Sequence, residues 1–457
     1  MRASRNLILL WLLYVLMLQA FTSSAQPVTQ IAAGGYHSLF LKSDGSLWVM
    51  GYNFYGQLGD GTYNNTNLPE QIVVASNVTM IAAGSVHSLF LKSDGSLWVM
   101  GSNNNGQLGV GTSIAKTNWP EQIMTSNVTA IAVGGAHSLF IKNDGSLWAM
   151  GWNNNGQLGD GTYNNTNRPE QIVSSNVTAI AAGGSHSLFL KSDSSLWAMG
   201  YNNAGQLGGG TTSKTNQPEQ IVASNITAIA AGSFVDGQGI FHEHSLFLKG
   251  DGSLWAMGAN NYGQLGDGTY NSTNQPEQIV ASNVTAIAAG GGHSLFIKSD
   301  GSLWAMGRNW YGQLGDGTYN FTTNRPEQIV VGSVAAIAGG GDFSLFLKND
   351  GSLWGMGTNT FGQLGDGKSN FKTDQPEQIL GPYNQIQTTG QLMGGTNMQL
   401  NFVGVANANY ALDRASSLSP PNWIPQATNP AGSFGALVFT NAPDPTTNNF
   451  WRIRSVP

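Results

Sequence analysis

Apolar positions in this chain fall into short runs punctuated by Gly, Asn and Asp. In one stretch V-T-M-I-A-A-G is followed by H-S-L-F-L-K, then Asp-Gly, then S-L-W-V-M-G. A long Asn/Gly-rich loop leads on to P-E-Q-I. Runs this short with β-branched and aromatic residues predict strands, and Asp-Gly between two of them predicts a hairpin turn. Successive side chains on a strand point to opposite faces. Leu39 and Leu41 therefore oppose Phe40, and Leu47 and Val49 oppose Trp48 and Met50. Both faces of the two middle strands are apolar, so each must be covered on both sides.

The same unit recurs seven times, with H-S-L-F-L-K or a close copy beginning at His37, His87, His137, His186, His244, His293 and Phe343. The unit tryptophans, Trp48, Trp98, Trp148, Trp197, Trp255, Trp304 and Trp354, lie 49 or 50 residues apart, except for 58 between Trp197 and Trp255. The excess is an insertion over 235–243. Four strands per unit, seven units and no spacer predict an all-β, seven-bladed β-propeller of four-stranded blades over 26–380. A solenoid would need a shorter coil, and separate domains would need linkers. The Ala/Gly-rich strand, such as the one ending Ile81-Ala82-Ala83-Gly84, is expected at the axis, where only small side chains let seven blades converge.

Composition adjusts this picture at the ends. Arg2 and Arg5, an apolar run over 7–21 and small residues at Ser23, Ser24 and Ala25 predict a secretory signal peptide over 1–25; the alternative, an uncleaved membrane anchor, would need a run of about 20 residues. No second apolar stretch of spanning length follows, so no integral membrane segment is expected after its removal. The expected location is secreted, periplasmic or at the cell surface. The absence of cysteine excludes disulfides, thiolate metal sites and a cysteine nucleophile, and fits a bacterial chain. A net charge of −6 argues against a nucleic-acid partner. Beyond the repeats, 384–457 alternates short apolar runs with Pro, Gly and Asn, which predicts a small C-terminal β-sandwich-like module for attachment, sorting or capping.

The pattern G-G-x-H-S-L-F-L-K-x-D-G-S-L-W-x-M-G…G-Q-L-G-D-G resembles the repeat of the regulator of chromosome condensation family, across all seven units. The resemblance implies a seven-bladed propeller. It also implies, for eukaryotic members, nucleotide exchange on a small nuclear GTPase together with chromatin binding. This acidic chain with an export signal lacks the basic tail of those members. Secreted bacterial members are the nearer analogue by compartment, and one type of them inhibits β-lactamases through aromatic loops on one face.

The informative positions are those that vary while the frame M-G-x-N-x-x-G-Q-L-G holds. They include Tyr52, Phe54, Tyr55, Trp152, Tyr201, Tyr262, Arg308, Trp310, Tyr311 and Phe361, with several Asn residues between them. Equivalent loops share one propeller face, so a circle of aromatic, Asn and Arg side chains is expected there. Aromatics and Arg are anchors in protein interfaces. The competing account is that these rings pack neighbouring blades. The insertion adds Phe234, Asp236, Ile240 and Phe241 as a protruding, apolar loop.

Catalytic and metal chemistry is less legible. The repeated His beside Ser reads as structural, satisfying buried backbone groups. His242 and His244 could face the same side of a strand and bind metal, although His244 already holds a repeat position. G-Q-L-G-D-G lacks the Lys of a phosphate loop and the spaced acids of a calcium loop, so no cofactor is expected. No nucleophile elbow or carboxylate pair stands out. The Asn-x-Thr sequons recur in register and read as turns. The residues thus point to a monomeric, non-catalytic binding scaffold for a protein or an extracellular glycan. The alternatives are a polysaccharide-acting enzyme and a structural surface protein anchored by its C-terminal module.

Overall fold

The computed structural model describes residues 26–112, 114–235, 241–369 and 371–381, together with six backbone strands between 389 and 456. The predicted signal segment and the tip of the insertion, which holds Asp236 and Ile240, lie outside the described residues. Among the described residues no helix is long and apolar enough to cross a membrane.

Residues 28–380 form seven four-stranded antiparallel sheets, the blades of a β-propeller. In the first blade the strands are β1 (Val28–Ala33), β2 (His37–Lys42), β3 (Leu47–Gly51) and β4 (Thr66–Gln71), hydrogen-bonded in that order. The later blades, 78–124, 128–173, 177–222, 226–280, 284–330 and 334–380, repeat this layout, and they are numbered here 2 to 7. The C-terminal strands form two three-stranded antiparallel sheets. One pairs Thr389–Met393, Asn397–Val403 and Ala436–Asn441, and the other pairs Ile424–Pro430, Asn409–Ala415 and Phe450–Val456.

The first strand of each blade is innermost, as the small side chains predict. Ala33, Ala83, Val133, Ala182, Ala231, Ala289 and Gly339 line a narrow central channel. At five of the seven boundaries adjoining loops bond to each other at its mouth, as from Gly35 N to Gly84 O (3.0 Å) and from Gly341 N to Gly34 O (3.0 Å). Between blades the alternation of side chains builds one core per boundary. Leu39, Leu41, Leu47 and Val49 of blade 1 meet Phe90 and Met100 of blade 2. Phe40 and Met50, on the other face, meet Leu345, Leu347 and Leu353 of blade 7.

The repeated polar residues join these cores. Ser88 of blade 2 donates to the Gln57 carbonyl of blade 1 (2.8 Å). With that proton committed, Ser88 Oγ accepts from His37 Nε2 (2.8 Å). The same arrangement ties His87 to Ser138, His137 to Ser187, His186 to Ser245, His244 to Ser294 and His293 to Ser344. At the closing boundary Phe343 replaces the histidine, while Ser38 still donates to Gln363 O (2.6 Å). Burial pushes His37, His87, His137, His244 and His293 down to about 3, so these imidazoles are neutral.

The other motif residues are structural too. Asp44 Oδ1 accepts the Ser46 amide (2.9 Å), and Ser46 Oγ accepts Trp48 Nε1 (3.0 Å). Trp48 stacks on Phe40 and lies beneath Lys42 Nζ (3.9 Å). The sequon residues Asn77, Asn127, Asn176, Asn225 and Asn283 have φ between 57° and 71°, which Asn tolerates at tight turns.

Two outcomes follow. Ser88→Ala strands both His37 Nε2 and the Gln57 carbonyl, whereas Ser38→Ala strands only the Gln363 carbonyl. With a cost of about 1–3 kcal/mol per stranded group, Ser88→Ala is expected to lower the urea midpoint clearly further than Ser38→Ala. Equal shifts would show that the histidine bond contributes nothing. Ala82 packs on the core between blades 2 and 3, so Ala82→Glu is expected to abolish folding, and a soluble variant with native circular dichroism would contradict its placement.

Candidate binding face

The long loop between the third and fourth strands lies on the same face as the G-G-x loop between the first and second, since both follow strands running in one direction. Its frame is held by side-chain amides. Asn53 Oδ1 accepts the Leu58 amide and its Nδ2 donates to Asp60 Oδ1, both at 3.0 Å. Gln57 Oε1 accepts the Tyr55 amide (3.0 Å). Gly56 has φ 82°, and a Cβ there would fall 2.5 Å from the Thr117 carbonyl of blade 2, so neither its conformation nor its space admits a side chain. Where the acid is missing, main-chain carbonyls substitute: Asn103 Nδ2 donates to Ile114 O (2.8 Å) and Asn202 Nδ2 to Ser213 O (3.0 Å). The acid is thus a loop brace.

This frame presents the varying positions with the middle one outward. Phe54 is 55% exposed and Trp310 42%, while Tyr52, Tyr55, Trp152, Tyr201, Tyr262, Tyr311 and Phe361 are half-buried. Lysines of neighbouring blades strap the loops: Lys116 Nζ donates to Phe54 O (2.8 Å) and Lys372 Nζ to Trp310 O (3.0 Å).

Among the described residues the ring contacts trace an arc over blades 5, 6, 7 and 1. Tyr52 meets Phe54, Tyr55 and Phe361, with centroids 6.4, 6.3 and 4.7 Å apart. Tyr262 meets Trp310 at 6.3 Å. The outward position itself is Asn104, Asn154, Asn203 and Asn261 on blades 2 to 5 and Thr360 on blade 7. Trp152 and Tyr201 belong to blades 3 and 4, and Tyr201 borders a pocket of about 840 Å³ together with His242, Asn261 and Asp267. Arg308 is not on the surface: it is buried, its Nη1 bonds Asp342 Oδ1, and its guanidinium carbon lies 4.9 Å from the Trp310 centroid and 5.4 Å from that of Tyr311. It holds rings in place instead of presenting a charge outward.

Several members of the arc come from positions the frame analysis passed over. Tyr36 and Asp342 occupy the x of G-G-x-H, which reads Tyr36, Val86, Ala136, Ser185, Glu243, Gly292 and Asp342 around the propeller. The same test of variation within a fixed frame would have found them. Phe321 and Phe371, 72% and 59% exposed, follow the G-Q-L-G-D-G turn and meet Trp310 (5.5 Å) and Tyr311 (5.7 Å).

The insertion lengthens the first hairpin of blade 5. Its strands Ile226–Val235 and Phe241–Lys249 pair as far as Phe234 with His242 and Val235 with Phe241. His242 Nδ1 lies 3.3 Å from Asn261 Oδ1 and its ring meets Tyr262, while His244 Nε2 bonds Ser294. Among the described residues no three His, Cys, Asp or Glu side chains are grouped to hold a metal.

At the hairpin base Glu243 Oε2 lies 2.6 Å from His186 Nδ1, and His186 Nε2 lies 2.9 Å from Ser245 Oγ. The order Ser–His–Glu is that of a hydrolytic triad. All three residues are 0% exposed, however, and the Ser245 hydroxyl donates to the Gln206 carbonyl (2.8 Å). Its proton is committed, no substrate reaches it, and the same serine–histidine pair recurs at five other boundaries. The arrangement ties the insertion to blade 4.

Comparison with known proteins agrees with this construction. The RCC1-like domain model matches residues 117–400, and models of the regulator of chromosome condensation (RCC1) repeat match 28–57, 78–107 and 44–91. An X-linked retinitis pigmentosa GTPase regulator homolog of Caenorhabditis elegans is 52% identical over 40 residues, 9% of this chain and 3% of the relative. The mitochondrial RCC1 domain-containing protein RUG3 of Arabidopsis thaliana is 44% identical over 45 residues, 10% of each chain. The chain thus spans a small fraction of these relatives' lengths. Human WBSCR16 superposes with a TM-score of 0.65 at 24% identity, over 74% of this chain and 95% of its own. Prp20p of Saccharomyces cerevisiae, described with its binding to Gsp1p and histones, gives 0.61 at 24% identity over 71% and 84%. At such identity these structures establish the fold alone. With seven blades of the predicted repeat and a domain model matched over more than half its length, the chain belongs to the RCC1-like domain family.

Proposed function

We propose that this chain is a non-catalytic scaffold, exported to the periplasm, the cell surface or the medium, that docks a partner protein on the aromatic arc. One observation carries the reading: Phe54, Trp310, Phe321 and Phe371 stand exposed on loops that amide brackets, glycines and lysine straps hold rigid. Exposed rings on an isolated monomer lose water contact only when covered, and rigid ones lose little entropy on binding. Aromatic anchors surrounded by polar neighbours are the composition of protein interfaces. Protein binding is also what is described for the structurally similar Prp20p. A propeller with opposed loops of variable sequence and an invariant body suits such a role, since partner choice can change without refolding.

The test uses the exported chain as bait for envelope and culture-fluid extracts, beside a Phe54→Ser, Trp310→Ser, Phe321→Ser variant. These side chains are outward, so the variant is expected to keep its melting temperature within a few degrees. A partner protein retained by the parent and reduced at least tenfold on the variant supports the reading. Equal retention by both, or retention of a glycan with no protein, would overturn it.

A further inference from the structure

Where the ends of the propeller meet, blades 6, 7, 1 and 2 enclose a pocket of about 390 Å³ on the same face. Its walls include the rings of Tyr36, Tyr52, Tyr55, Tyr311 and Phe361, and its one ionisable acid is Asp342. Tyr36 meets Phe361 at 5.5 Å and Tyr52 at 6.4 Å, both edge-on. Asp342 is 7% exposed. At this position the other blades carry Tyr, Val, Ala, Ser, Glu and Gly, so the fold does not require an acid.

The Asp342 carboxylate is half satisfied. Arg308 Nη1 and Gln313 Nε2 (3.4 Å) both donate to Oδ1. Among the described residues no donor reaches Oδ2. Arg308 is not part of the pocket wall, so its guanidinium approaches the carboxylate from another side, with the ring centroids of Trp310 and Tyr311 about it. Burial pushes the Asp342 carboxyl up, against the pull of Arg308. Burial, and next the nearby Asp342, pushes the Tyr36 hydroxyl up as well. A negative charge here is poorly solvated, and a donor arriving through the pocket would relieve it.

Aromatic rings that share a pocket with a carboxylate select a cation with N–H donors. The protein's own Arg308 shows this chemistry on the neighbouring side of the same carboxylate. The chain's net charge of −6 also favours the approach of cationic surfaces. We infer that this pocket receives a lysine or arginine side chain of the docked protein, its head against Asp342 Oδ2 and its methylene stem between the Tyr36, Tyr52 and Phe361 rings. The inference rests on the arc being a protein-docking face, and it names the side chain that anchors there.

The experiment titrates the exported chain with Nα-acetyl-lysine methylamide, its arginine counterpart and the neutral norleucine isostere, followed by NMR line broadening and calorimetry. The cationic probes are expected to bind at least tenfold more tightly than norleucine. Asp342→Asn should remove that preference. Because Asp342→Asn unpairs Arg308 and could unfold the blade, Tyr36→Leu is measured too, and it should weaken the cationic probes severalfold with the Arg308 pair intact. Equal affinity for norleucine and lysine, a folded Asp342→Asn that keeps the preference, or a Tyr36→Leu that binds like the parent would each overturn the assignment. So would tighter binding of a neutral disaccharide than of any of the three. If these probes fail while the exposed-ring variant still loses its protein partner, only the pocket assignment falls. If partner capture never depended on the arc, the docking face itself falls.

Discussion

A buried serine hydroxyl on the second strand of every blade donates to a main-chain carbonyl of the preceding blade, and at six of the seven boundaries it also accepts from that blade's histidine. This contact carries unusual weight because no strand is exchanged between blades. Each sheet is built from consecutive sequence, and the closing boundary is held by the same apolar packing and serine–carbonyl bond as the others, without the histidine. Apolar packing supplies attraction between blades but little direction. The serine bond fixes how each sheet is rotated against the next, since a slip would strand polar groups from which water is excluded. Both faces of the middle strands are committed to neighbours, which leaves the body of the unit almost no freedom to vary.

Variation is therefore pushed to the ends of the strands on one face. The Asn and Gln brackets inside each loop hold the backbone whatever the intervening side chains are, so Tyr, Trp, Phe, Asn, Ala or Thr can occupy those positions at no cost to the fold. The acids Glu243 and Asp342 use this freedom differently. Glu243 bonds the histidine of blade 4 and anchors the lengthened hairpin of blade 5. Asp342 stands beside Phe343, at the boundary that lacks a histidine, and faces an aromatic pocket. The departures from the repeat thus cluster where the propeller closes and where its longest hairpin leaves it.

The propeller was legible because period, turn chemistry and two-sided hydrophobicity all agree, and the repeated histidine is structural as expected, although its partner is the serine of the next blade and not a backbone group. The arc was only partly legible. Sequence variation marks which positions are free, but whether Arg308 is outward or buried depends on Asp342, 34 residues further on, which no local pattern connects to it. Which rings meet is decided by adjacency across a boundary, which the chain order does not show: Tyr52 and Phe361 are distant in the chain and 4.7 Å apart in space. Phe321 and Phe371 were missed because they lie in the Asn/Gly-rich loop beyond G-Q-L-G-D-G, outside the frame whose varying positions were compared.

The central claim, that neutral buried histidines help hold the blades together, is tested most directly by stability against pH. Five of them sit at about 3 in the folded state, against about 6.5 unfolded. The unfolded chain binds more protons between those values, so stability is fully present above about pH 6.5 and is lost as pH falls toward 3. Each histidine contributes up to about 1.4 kcal/mol per pH unit within that window. Urea unfolding followed from pH 7.5 to 4.5 should show the midpoint falling steeply below pH 6.5, with several protons taken up on unfolding. A midpoint that stays flat to pH 4.5 and drops only as carboxylates titrate would contradict the account.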